Sequence, residues 1–247
     1  MKKILLLAVM VIATTTMLFG CKKSEPSSDT IIIGTNAEFP PFEYLDQGKI
    51  AGFDIDLMNE ISKIIGKKIE FKNMAFDSLL IAMQAGKINC IISGMTATDE
   101  RRQHVNFSEP YFISKQAVLV PENSNIKNFD DLKGKKIGVV IGYTGEMVVK
   151  DMYKDTSEII SYEATGQAVM AVSAGKVDAV VLDMEPAKKY AANNAGLAVL
   201  DTALAEEEYS IALPKENTAL LDEINKALNT LKENGTYDKI YSKYFNK

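Results

Sequence analysis

The 247-residue chain contains one histidine and two cysteines, and its 28 Lys and Arg are outnumbered by 33 Asp and Glu. Each shortage excludes a class of function. With His104 alone there is no His-Glu-x-x-His zinc motif, and no paired-cysteine metal motif or Gly-x-Ser-x-Gly nucleophile turn occurs. His104 lies in the polar segment Arg102-Gln103-His104-Val105 and is expected at the surface. A net charge of −5 argues against nucleic acid, which requires a basic stripe. Long apolar runs are also missing: the one from Ile4 to Phe19 is shorter than the roughly 20 residues that a membrane-spanning helix needs.

That run follows Lys2 and Lys3, so it has the charged start and short apolar middle of a secretory signal. It ends in Leu18-Phe19-Gly20-Cys21, which resembles the lipobox of bacterial lipoproteins. The resemblance implies cleavage before Cys21 and a lipid on its thiol, with residues 1–20 as signal peptide. Residues 21–30 are polar and aperiodic, as expected of a lipidated tether. Cys90 would then be the one remaining cysteine and could form no intramolecular disulfide. It sits in the apolar run Ile88-Asn89-Cys90-Ile91-Ile92, where a buried small hydrophobe is expected.

From Ile31 onward, strand-like and helix-like segments alternate, which predicts an α/β fold with mainly parallel sheets. Ile31-Ile32-Ile33-Gly34-Thr35 reads as a strand. Asp54 reads as the N-cap of a helix with Leu57, Met58, Ile61, Ile64 and Ile65 on one face, ended by Gly66. Asp77 likewise reads as the cap of a helix closed by Gly86, and Ile88 to Ser93 as a buried strand. The pattern restarts with strands at 136–141, 159–162 and 177–182, separated by helices, and Pro186 suits a first helical turn. Leu220, Leu221, Ile224, Leu228 and Leu231 mark a late amphipathic helix. Two extended stretches, 114–121 and 208–214, could carry the chain between two lobes and leave a cleft there.

The segments GTNAEFPPFEY, GFDIDLMNEI, ISGMTATDERR, VNFSEPYF, DLKGKKIGVVIGYTGE, DAVVLD and ENGTYDKIYSKYF occur in this order. Together they resemble the polar-amino-acid group of solute-binding proteins of ABC transporters. The resemblance implies the two-lobe periplasmic-binding-protein fold with a two-strand hinge. Residues 31–113 and 212–247 would form lobe 1, and residues 114–211 the hinge strands and lobe 2. It also implies a lipid-anchored extracytoplasmic monomer that captures a free amino acid for permease subunits, without enzymatic activity or cofactor.

A free amino acid carries an ammonium and a carboxylate on one carbon, and burying both requires charged and hydrogen-bonding partners. Arg101 holds the family's arginine position, and its planar fork suits a carboxylate. Asp183, at a strand end, would receive the ammonium. By family position, Gly94 offers a carbonyl to the ammonium, Thr96 an amide to the carboxylate and a hydroxyl to the ammonium, and Thr144 and Gly145 contacts to the carboxylate. The turn Gly142-Tyr143-Thr144-Gly145 precedes a helix, whose N-terminal amides favour an anion. Asn36, Phe39, Tyr44 and Phe76 align with pocket walls, while Glu38 and Glu185 could add negative charge or face water. A basic side chain is narrowly favoured over glutamine or another polar ligand. The rival readings are a cyclohexadienyl dehydratase-like enzyme and an amino-acid sensor.

Overall fold

The computed structural model describes residues 30–200, 203 and 206–245. The signal, Cys21 and nearly all of the tether read from the sequence lie outside them. Among the described residues no helix is long and apolar enough to cross a membrane.

The chain opens with β1 (Thr30–Thr35), followed by the small antiparallel sheet β2 (Glu38–Phe39), β3 (Glu43–Asp46) and β4 (Lys49–Ala51). Then come α1 (Phe53–Ile65), β5 (Lys68–Asn73), α2 (Phe76–Gln84), β6 (Cys90–Ile91), α3 (Asp99–His104) and β7 (Val105–Phe107). The long β8 (Phe112–Pro121) leads to β9 (Lys136–Val140), α4 (Thr144–Tyr153), β10 (Glu158–Tyr162), α5 (Thr165–Ser173), β11 (Ala179–Asp183), α6 (Met184–Asn193) and β12 (Leu197–Val199). The chain returns through β13 (Glu206–Tyr209) and β14 (Ala212–Pro214) to α7 (Thr218–Glu233) and α8 (Thr236–Phe245).

These strands form two central sheets, ordered β5-β1-β6-β14-β7 in lobe 1 and β10-β9-β11-β8-β12 in lobe 2, with β13 paired to β8. The lobe 1 core seats Ile31, Ile33, Leu57, Met58 and Ile61 against Leu220, Ile224, Leu228 and Leu231 of α7, all essentially inaccessible. Fully burying one such side chain contributes about 1.5–3 kcal/mol. In lobe 2, Val118, Val120, Ile137, Val139, Ala179 and Val181 fill the space under α4.

The sheets are mixed, which corrects the expectation of mainly parallel pairing. β1 runs parallel to β5 and β6, and β9 parallel to β10 and β11, as βαβ crossovers require. By contrast, β14 is antiparallel to β6 and β7, and β8 is antiparallel to β11, β12 and β13. These strands carry the chain from one lobe to the other, so no crossover helix sets their direction.

β8 and β13 run side by side as an antiparallel pair between the lobes, with Phe112 opposite Tyr209 and Ser114 opposite Glu207. Phe112 and Tyr209 both root in an aromatic cluster of lobe 1. Phe42 lies 4.8 Å from the Phe112 ring and 5.2 Å from that of Tyr209.

The expected helix caps at Asp54 and Asp77 are also displaced. The caps are Gly52 and Ala75, and both aspartates fall in the first turn. At Gly52, φ is 136° and a Cβ would sit 2.0 Å from the Phe42 carbonyl oxygen, so only glycine fits. Asp54 is thereby turned inward and fully buried.

Candidate functional site

Strand ends of both sheets meet at a small, nearly closed cavity. Its walls are Phe39, Phe76, Ser93, Gly94, Thr96 and Arg101 of lobe 1 with Tyr143, Thr144 and Asp183 of lobe 2. Seven of the ten residues expected at the pocket therefore line one space: Phe39, Phe76, Gly94, Thr96, Arg101, Thr144 and Asp183.

Arg101 lies in the first turn of α3, where the N-cap Thr98 accepts through Oγ1 from the Arg101 backbone N–H. Arg101 is 5% exposed, and its guanidinium packs 5.2 Å from the centre of the Phe76 ring. Nη1 donates to the Thr96 carbonyl at 2.8 Å, and Nη2 reaches across the cleft to the Gly142 carbonyl, also at 2.8 Å. Burial pulls its pKa down from the usual arginine value, opposed by the negative charges of Glu207, Asp183 and Glu100.

Asp183 occupies the N-cap position of α6, yet its side chain caps nothing. Its Oδ1 accepts a short hydrogen bond from Tyr209 Oη, 2.5 Å, and a longer one from Ser114 Oγ, 3.3 Å. Burial raises the carboxyl pKa to about 7, with a further push from Glu207.

Gly94 has φ 51°, and a Cβ there would meet the Phe39 ring at 2.6 Å. Its N–H is fixed by Asp54 Oδ2 at 2.9 Å, which also accepts from Tyr111 Oη at 2.8 Å. Behind it, Glu43 Oε1 accepts from Ser93 Oγ at 2.7 Å. Asp54 Oδ1 and Glu43 Oε2 have no donor among the described residues. Burial raises both carboxyls, Asp54 to about 6 and Glu43 well above the usual range, and their mutual repulsion raises Glu43 further. One shared proton would relieve both the repulsion and the missing donor.

Three expected residues stand elsewhere. Asn36 lies behind the wall, its amide donating to the Met74 carbonyl and accepting from Tyr143 Oη, each at 3.0 Å. Gly145 is buried in α4, where a Cβ would press on Gln116 Oε1 at 2.9 Å and the Val181 carbonyl oxygen at 3.0 Å. Tyr44 lines a separate outer groove with Pro40, Pro41 and Lys189. Of the two uncertain acids, Glu38 is exposed and Glu185 pairs with Lys188 at 2.8 Å. His104 is exposed, as expected.

Sequence reasoning missed Ser93, Tyr143 and Glu207. Tyr143 stacks edge-on against Phe76 at 4.7 Å and Phe39 at 5.4 Å, joining the lobes. Glu207 projects from β13, and its Oε2 accepts from Thr96 Oγ1 at 2.8 Å and Thr144 Oγ1 at 2.7 Å. Among the described residues no cluster could hold a metal ion.

Known proteins share this architecture. Residues 31–247 match the bacterial extracellular solute-binding proteins, family 3. The "Probable histidine-binding protein" of Neisseria gonorrhoeae is 40% identical over 87% of this chain and 82% of its own length. The ABC transporter arginine-binding protein 1 of Escherichia coli is 34% identical over 99% of each chain. An ancestral arginine-binding protein solved with arginine superposes with a TM-score of 0.85 at 46% identity, over 88% of this chain and 98% of that one. The chain belongs to the bacterial extracellular solute-binding proteins of family 3, two-lobed α/β proteins that bind their solutes without catalysis.

Proposed function

We propose that this protein captures a free amino acid, with a cationic side chain preferred, between its lobes and delivers it to the permease subunits of an ABC importer. The observation that carries the reading is the placement of Arg101 and Asp183, from opposite lobes, on the walls of one cavity. Arg101 receives the ligand carboxylate, helped by the backbone amides at the start of α4, and Asp183 receives the ammonium. Phe39, Phe76 and Tyr143 hold the aliphatic stem. Because the two ends of the ligand engage different lobes, binding favours closure.

Preference for a cation follows from charge. Arg101 is the single basic side chain lining the cavity, and Asp183 is joined near it by Glu207 and the Glu43–Asp54 pair. A zwitterion neutralises Arg101 and Asp183 only, so a positive side chain offsets the surplus. The names of the relatives, histidine- and arginine-binding, agree with this. In the same reading residues 114–211 and the segments 31–113 with 212–247 are the two closing bodies, and lipid on Cys21 keeps the protein at the membrane.

A thermal-shift screen of the twenty amino acids with ornithine and cystine tests it, since a ligand that binds only the folded state raises the melting temperature. Arginine, lysine or histidine should give the largest shift. Glutamine in first place would revise the side-chain preference alone, and no shift with any of them would sink the whole reading.

A further inference from the structure

We propose that Glu207 is a positioning residue that fixes the polarity of the two cleft threonines, turning both hydroxyls into acceptors toward the ligand and so selecting for an α-ammonium group. This rests on the amino-acid reading above and names the device by which the site would recognise that group.

Thr96 belongs to lobe 1 and Thr144 to lobe 2, and both line the cavity. Their hydroxyls converge on the same atom, Glu207 Oε2, at 2.8 and 2.7 Å. Each hydroxyl has one proton, whereas a carboxylate offers only lone pairs, so both threonines must donate to Glu207. What they can turn to the cavity is therefore lone pairs. Thr144 Oγ1 also accepts from Gln116 Nε2 at 3.2 Å, which leaves it one lone pair, while Thr96 retains two. Neither hydroxyl has a proton left for a ligand carboxylate. That end of the ligand must rely on Arg101 and backbone amides, and the hydroxyls join Asp183 in serving a donor.

Glu207 can do this because of where it stands. It is 9% exposed and lies on β13, opposite Ser114 of β8. Ser114 in turn donates to Asp183 Oδ1. This strand pair thus carries both the acceptor that orients the threonines and a donor that holds the aspartate. Tyr209, two residues along the same face of β13, supplies the second donor to Asp183.

Arginine and its desamino analogue 5-guanidinopentanoate, titrated into the full-length protein by competition calorimetry, separate this role from simple support. In Glu207→Ala the hydroxyls are free to rotate and donate to a carboxylate. The preference for arginine over the desamino acid should then fall about tenfold, the scale of one hydrogen bond to a charged group. Thr96→Val, which removes the same acceptor directly, should lower that preference in wild type but add little in the Glu207→Ala background. Loss of affinity for both ligands in equal proportion would overturn the proposal, as would additive effects of the two substitutions. A wild-type protein that binds no amino acid would instead sink the amino-acid reading, and this inference with it.

Discussion

The two lobes answer each other residue for residue along one segment. Ala82-Met83-Gln84-Ala85-Gly86-Lys87-Ile88-Asn89 in lobe 1 matches Ala171-Val172-Ser173-Ala174-Gly175-Lys176-Val177-Asp178 in lobe 2 at a constant offset of 89. Both runs close a nine-residue helix, turn on a glycine with φ near 68° and enter the strand that ends at the cavity. The same offset sets Gly94 against Asp183. At equivalent strand ends, lobe 1 presents backbone held in place by a buried acid, and lobe 2 presents the acid itself. Lobe 1 compensates with Arg101 on α3 and with the β2–β4 insert that carries Phe39. One framework thus carries two chemically opposite half-sites, which in the proposed reading come together around a molecule with two opposite charges.

Removing either half should have the largest effect. In the proposed clamp, Arg101→Ala would leave the ligand carboxylate buried without its cation, and Asp183→Ala would do the same to the ammonium. Breaking a buried ion pair costs roughly 3–5 kcal/mol, so each variant should lose more than a hundredfold in affinity by calorimetry. Near-normal binding in both would show that the lobes do not divide the charges as their geometry suggests.

The framework was more legible in the sequence than the site was. Hydrophobic periodicity and glycine stops located the helices, because those signals are local. The direction of two strands was not local: β8 and β14 look like any extended apolar run, and only the return of the chain between lobes sets them antiparallel. Asp54 read as a helix cap because an acid at a helix start is usually one, and the fit of Gly52 against Phe42 shifted it inward. Glu207 was hidden in Glu206-Glu207-Glu208, which reads as a solvated charge run. The signal was there in strand alternation: Glu207 shares a face with the buried Tyr209, and its neighbours face outward.

The buried acids of the two lobes should separate by pH. Asp54, raised to about 6, and Glu43, raised further, keep protons in the folded protein that the unfolded chain releases near pH 4. The folded state then binds more protons than the unfolded one, so stability falls as pH rises through that window and levels off above the folded pKa values. Glu43→Gln removes the repulsion in lobe 1, and urea unfolding of this variant should show a flatter decline between pH 4 and 7. In lobe 2 the readout is affinity. Asp183, at about 7 without its cation, must release a proton when an ammonium binds, so affinity should weaken below pH 7 by up to about tenfold per unit. A stability profile unchanged by Glu43→Gln would mean that the lobe 1 pair carries no excess proton.

The smallest effect is expected at Tyr44, where family resemblance and geometry part. By position it belongs to the pocket wall, but β3 turns it into the outer groove beside Pro40, Pro41 and Lys189, away from the cavity that Phe39 lines. Strand geometry explains the divergence. Tyr44 pairs with Glu38 and Ala51 in the small sheet, and its neighbour Glu43 is the residue on the buried side, reaching Ser93. Successive side chains of a strand point to opposite faces, so Glu43 and Tyr44 cannot both face inward. Tyr44→Ala should therefore change affinity less than about twofold, within the range of surface substitutions remote from a site. Glu43→Gln, one residue away, should alter the pH profile as described. A tenfold loss of binding in Tyr44→Ala would place the ligand's side chain against the outer groove and would move the lobe 1 half of the pocket with it.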